Sequence, residues 1–135
     1  MRSVHVLQAT LVCKPGWLPF CNSCYTLVKS MMMWSQAQLH CQSLEGHLVS
    51  VTSAQENDFV VKIMGKERNV WIGAHGSGDT FEWDGGDPWG FSGFPASWAA
   101  PRSRECVQLT NDGLWRTYRC NFTPIFICEV EVNIH

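Results

Sequence analysis

Seven cysteines, at positions 13, 21, 24, 41, 106, 120 and 128, restrict what this 135-residue chain can fold into more than any other feature. Such density points to an oxidising compartment, where cysteines cross-link one small domain. Residues 21–24 read Cys-Asn-Ser-Cys, a spacing shared by redox centres, half zinc sites and disulfide scaffolds. A redox dithiol belongs between a strand and a helix, whose N-terminus lowers the thiol pKa. Here the pair is followed by YTLVKS, which reads as a strand. Zinc needs a second close pair of cysteines or histidines. Cys106, Cys120 and Cys128 are far apart, and the histidines at 5, 40, 47, 75 and 135 are scattered. A scaffold accounts for the whole set of cysteines better than either chemistry.

The length corresponds to one domain with a single core. Hydrophobic residues are 45% and charged ones 16%, which excludes a disordered chain. A net charge of -2 gives no reason to expect nucleic acid or an anionic membrane as partner. No run of about 18 apolar residues is present, so no membrane span is expected. In MRSVHVLQATLVC the apolar stretch is interrupted by His5, Gln8 and Thr10, and no small-x-small cleavage site follows. The expected organisation is an N-terminal extension or leader remnant over 1–12, a domain over 13–130 and a tail over 131–135. A secreted, extracellular location is expected from the cysteines alone.

Two helices are legible. In SMMMWSQAQLHCQSLEG, Trp34, Ala37, Cys41 and Leu44 fall at helical spacing and Gly46 offers a stop. SAQENDFVVKIMG opens on a capping box of Ser53 and Glu56, presents Phe59, Val60 and Ile63 as its buried face, and closes on Gly65. The period then shortens. Residues 70–74, 81–83, 105–109, 114–116 and 125–132 read as strands rich in β-branched and aromatic residues. Between Asp84 and Arg104 runs a Gly-, Pro- and aromatic-rich stretch. The fold class is α+β, with a long irregular loop of the kind that usually carries function.

The ordered motifs resemble the C-type lectin-like domain. CKPGWLPFCNSCY (13–25) is similar to that family's opening segment, with Cys13, Cys24 and Tyr25 matching. WSQAQLHCQSLEGHLVSVTSAQENDFV (34–60), WIGA (71–74), FEWDGG (81–86) and the segment from ECVQL to FICE (105–129) resemble its later motifs in order. The resemblance implies a C-type lectin-like fold of two helices, short antiparallel sheets and a long loop. It also implies three disulfides, Cys13–Cys24, Cys41–Cys128 and Cys106–Cys120, leaving Cys21 unpaired. An odd cysteine is a free thiol or an interchain link, so a disulfide-linked dimer through Cys21 is one expectation.

In sugar-binding members of that family a calcium ion is held by a Glu-Pro-Asn or Gln-Pro-Asp, an acid before the third disulfide's first cysteine, and an Asn-Asp after a strand tryptophan. This sequence departs at each place. Pro95 lies between Phe94 and Ala96, and Pro101 between Ala100 and Arg102. Arg104 stands at the acid position with Glu105 beside it, and Arg116-Thr117 follows Trp115. Guanidinium groups cannot ligate a cation, so no calcium is expected at the usual lectin site. The ligand-binding candidates are Trp89, Trp98, Arg102, Arg104, Glu105 and Arg116. Aromatic rings stack on sugars and anchor protein contacts, and arginines capture acidic groups. Packing of Trp89, Phe91, Phe94 and Trp98 beneath the loop is the alternative. Trp34, Trp71, Trp83 and Trp115 are expected in the core. His47 is read as structural and Met31, Met32 and Met33 as packing at the helix start. Asn121-Phe122-Thr123 is a glycosylation sequon followed by Pro124.

No catalytic constellation is legible. The expected function is non-catalytic recognition of a glycan or an extracellular protein through the long-loop face, with no metal cofactor. A protein-interaction subunit linked through Cys21 and an ice-binding protein are the alternatives.

Overall fold

Side chains on a strand alternate between its two faces, and here both faces are apolar. On the central strands, Val70, Ile72, Val107, Leu109 and Ile127 belong to one buried cluster. Residues next to them on the same strands, Trp71, Cys106, Phe126 and Cys128, belong to a second. The sheet is therefore a middle layer with a core on each side. A computed structural model describes residues 12–77, 80–96 and 105–132.

The elements are β1 (Leu18–Phe20), β2 (Ser23–Val28), α1 (Trp34–Ser43), β3 (His47–Leu48), α2 (Ala54–Met64), β4 (Asn69–Ser77), β5 (Thr80–Trp83), β6 (Glu105–Thr110), β7 (Trp115–Arg119) and β8 (Ile125–Glu131). The expected α+β class holds, and the strands form one sheet in the order β1-β2-β8-β4-β6-β7. β3 adds to β8 and β5 to β4. The pairings are antiparallel except β4 with β8, which run parallel. The expected antiparallel sheets are thus joined through one parallel contact.

Helix α1 covers the second cluster with Trp34, Ala37 and Cys41, and the Trp34 indole N–H donates to the Ile72 carbonyl at 3.0 Å. Met31, Met32 and Met33 lie outside the helix. Met33 is its N-cap, its N–H donating to Gln36 Oε1 at 3.1 Å. The Met32 carbonyl accepts from the Trp71 indole, whereas Met31 is exposed. The expected stop at Gly46 is met differently. Glu45 takes the left-handed conformation, with φ 68°. Gly46 is needed for close approach instead, because a Cβ there would sit 2.3 Å from the Glu129 carbonyl oxygen.

Helix α2 covers the first cluster with Val60 and Met64, while Phe59 and Ile63 are only partly buried. Half of the expected capping box forms: the Glu56 N–H donates to Ser53 Oγ at 3.0 Å. The Glu56 carboxylate turns elsewhere, accepting from Thr52 N–H at 2.8 Å and Tyr25 O–H at 2.6 Å. Burial and the nearby Glu129 and Glu56 carboxylates push the Tyr25 phenol far above its ordinary pKa.

All three disulfides implied by the resemblance are present: Cys13–Cys24, Cys41–Cys128 and Cys106–Cys120. Cys41–Cys128 bolts α1 to β8. Cys21 is an exposed free thiol at the β1–β2 turn, with φ 52°. The Cys-Asn-Ser-Cys spacing is therefore no dithiol centre, since Cys24 is bonded to Cys13. Trp34, Trp71, Trp83 and Trp115 are buried in the core, as expected, and His47 is buried as well.

Candidate functional site: the long-loop face

The long loop leaves the sheet after Trp83, and its described part runs from Asp84 to Ala96. Trp98, Arg102 and Arg104 lie outside the described residues.

Two of the three aromatic rings in the described part pack inward. Phe91 and Phe94 sit against the first core cluster. Their rings meet Trp115 edge-on at 5.8 and 5.5 Å, and Phe94 stacks on Phe81 at 5.2 Å. Trp89 is different. It lies 5.7 Å from Phe81, 5.1 Å from Trp83 and 5.9 Å from Trp115, yet keeps 38% of its surface exposed. Under these rings Trp115 is fully buried. Its indole N–H donates to Asn57 Oδ1 at 2.9 Å, and Asn57 Nδ2 donates to the Gly113 carbonyl at 2.9 Å. The Trp115 backbone N–H donates to the Gly93 carbonyl at 2.9 Å, tying the loop to β7. Asn57 was not among the residues singled out from the sequence, because nothing marks one helix asparagine as the support of a tryptophan on a distant strand.

The remaining candidates do not converge. On the β6–β7 ribbon, Glu105 faces Arg119, and Gln108 faces Arg116. Strand alternation therefore puts Glu105 on the face of Val107 and Trp115, and Arg116 on the opposite face with Tyr118. Arg116 is also engaged: its Nη2 donates to Asp112 Oδ2 at 3.3 Å. Asp112 accepts from Thr110 Oγ1 and from the Leu114 N–H as well. These two bonds, and then Arg116, hold its carboxyl below the usual range. Asn121, of the sequon, is exposed just after β7.

The donor set after Trp115 suits a calcium ion poorly. Ca²⁺ takes six to eight oxygens, several of them charged, and the positions offered here are a guanidinium paired with Asp112 and the single hydroxyl of Thr117.

Among the described residues, two helices, one mixed sheet, three disulfides and an aromatic-rich loop define a disulfide-bonded α+β domain of the lectin type. A family model described as Lectin C-type domain matches residues 30–130, and the chain belongs to that family. C-type lectin domain family 17, member A, of Homo sapiens is 32% identical over 123 residues, covering 88% of this chain and 32% of its own length. Asialoglycoprotein receptor 2 of Mus musculus is 30% identical over 137 residues, covering 94% of this chain and 45% of its own. This chain thus spans less than half the length of either relative. The cow C-type carbohydrate-recognition domain of CD23, solved in the presence of a GlcNAc2Man3 oligosaccharide, superposes with a TM-score of 0.80. It is 26% identical, and the match covers 91% of this chain and 98% of that one.

Proposed function

We propose that this chain is a non-catalytic, extracellular recognition module that binds a glycan or glycoprotein through the long-loop face, without calcium at the usual lectin site. The observation that carries the reading is Trp89, a partly exposed indole held against three buried rings. A ring fixed in place loses little freedom when a sugar or an apolar side chain stacks on it. Trp98, Arg102 and Arg104, in the same Gly-, Pro- and aromatic-rich stretch of sequence, are proposed as further contacts. Glu105 and Arg116, on opposite faces, do not serve one patch. The guanidinium after Trp115 supports calcium independence, and the three disulfides support an oxidising, extracellular location.

A glycan array run with Ca²⁺ and again with EDTA tests this. Binding that survives EDTA and falls at least about tenfold in Trp89→Ala is expected, in keeping with the weight aromatic anchors carry. Binding abolished by EDTA overturns calcium independence. The exposed Cys21 thiol favours a second reading, a subunit joined to a protein partner by an interchain disulfide. Intact mass measured without reductant would then show a covalent dimer that Cys21→Ser abolishes.

A further inference from the structure

Three side chains far apart in sequence meet where β3 and β8 approach the start of the long loop. His47 of β3, Asp87 of the loop and Glu131 of β8 each place one donor atom within 4.8 Å of the other two. His47 Nε2 lies 2.8 Å from Glu131 Oε2. The imidazole is fixed from behind: its Nδ1 lies 2.7 Å from the Leu48 carbonyl oxygen, which can only accept, so Nδ1 carries the proton. That leaves Nε2 as the nitrogen facing the two carboxylates. The ring also lies under the turn after β5, where a Cβ on Gly85 would come within 2.6 Å of it. Asp84, beside that glycine, accepts from the Leu48 N–H at 3.1 Å and from Gln38 at 2.6 Å. The histidine is buried, whereas Glu131 is about half exposed and opens the cluster to solvent.

We propose that His47, Asp87 and Glu131 form a binding site for a first-row divalent cation of the zinc type. One imidazole nitrogen and two carboxylate oxygens are a three-ligand set for zinc, with water completing the tetrahedron. A histidine whose other nitrogen donates to a backbone carbonyl is the usual oriented ligand. Calcium is disfavoured because it takes six to eight oxygens. On binding, the cation takes the place of the proton between His47 Nε2 and Glu131, which passes to solvent. A cation held here ties the start of the long loop to the last strand. An ion pair of His47 with Glu131 alone would have no use for Asp87, and that difference makes the proposal testable.

The experiment is calorimetric titration of Zn²⁺ into EDTA-treated, dialysed protein, with ¹⁵N spectra of the imidazoles recorded alongside. One equivalent should bind, with the His47 Nε2 resonance shifted and Nδ1 still protonated. Asp87→Asn and Glu131→Gln, both checked for fold by circular dichroism, should each weaken binding at least about tenfold, since even outer-shell partners are worth that much. Zinc binding that leaves the His47 resonances unmoved, or that is unchanged in both variants, assigns the metal to other histidines and overturns the proposal. So does Ca²⁺ competing on equal terms with Zn²⁺, or the absence of any binding.

Discussion

A carboxylate removed from water is costly while it is charged. Glu129 is 4% exposed, and burial pushes its pKa up to about 7. Hydrogen bonds from Ser23 and the Ser50 N–H and the charge of His47 pull it down, while Glu56 adds to the rise. His47 is raised too. Burial opposes its charge, but the Leu48 carbonyl and the Glu131 and Glu129 carboxylates outweigh that. Both groups hold protons more tightly folded than unfolded, so both make stability fall as pH rises. For Glu129 the loss spans the interval from its ordinary 4.5 to about 7. For His47 it begins near 6.5 and continues through its raised value. Urea unfolding in EDTA should therefore show greater stability at pH 5 than at pH 8. Glu129 alone accounts for up to about 3 kcal/mol of the difference, and Glu129→Gln should flatten the slope by that share. None of this was legible in sequence, where Glu129 reads only as the residue after a cysteine.

At the scale of elements, what could be read depended on whether the signal was local. The α2 cap was legible because Ser53 and Glu56 are three residues apart and the bond between them is part of the helix itself. The other half of the box failed because Tyr25, on a distant strand, competes for the Glu56 carboxylate. β3 has only His47 and Leu48, too few residues to show an alternation, and exists because β8 supplies its partners. Gly46 was read as a helix stop, yet its role is to let the chain pass the Glu129 carbonyl. Gly46→Ala should thus cost about 2–3 kcal/mol in urea unfolding, in the range of overpacked sites. A helix-propensity view predicts the opposite sign, because alanine is the better helix former. In the candidate site, the aromatic loop and the arginine after Trp115 were legible. Which side of the ribbon Arg116 and Glu105 occupy was not, because it depends on the β6–β7 register.

At the scale of the whole molecule, cross-links act according to the length of chain they close. Cys41 and Cys128 are 87 residues apart, whereas Cys13 and Cys24 are 11 apart. In the chain-entropy view the first should be worth about 4–5 kcal/mol and the second about 3. Replacing both cysteines of each pair by alanine and comparing denaturant midpoints should rank them in that order. The family and the three pairings were accessible from the order of motifs, because that order is a property of the whole chain. The pairing of β2 with β8 sets Ser23 opposite Glu131, and the Val132 N–H donates to the Asn22 carbonyl at 2.8 Å. Val12 and Val132 line the same small cavity. Topologically the domain is a ring cut at one point: its entrance and exit lie side by side, so it can hang from a neighbouring segment like a pendant without that segment having to reach around it.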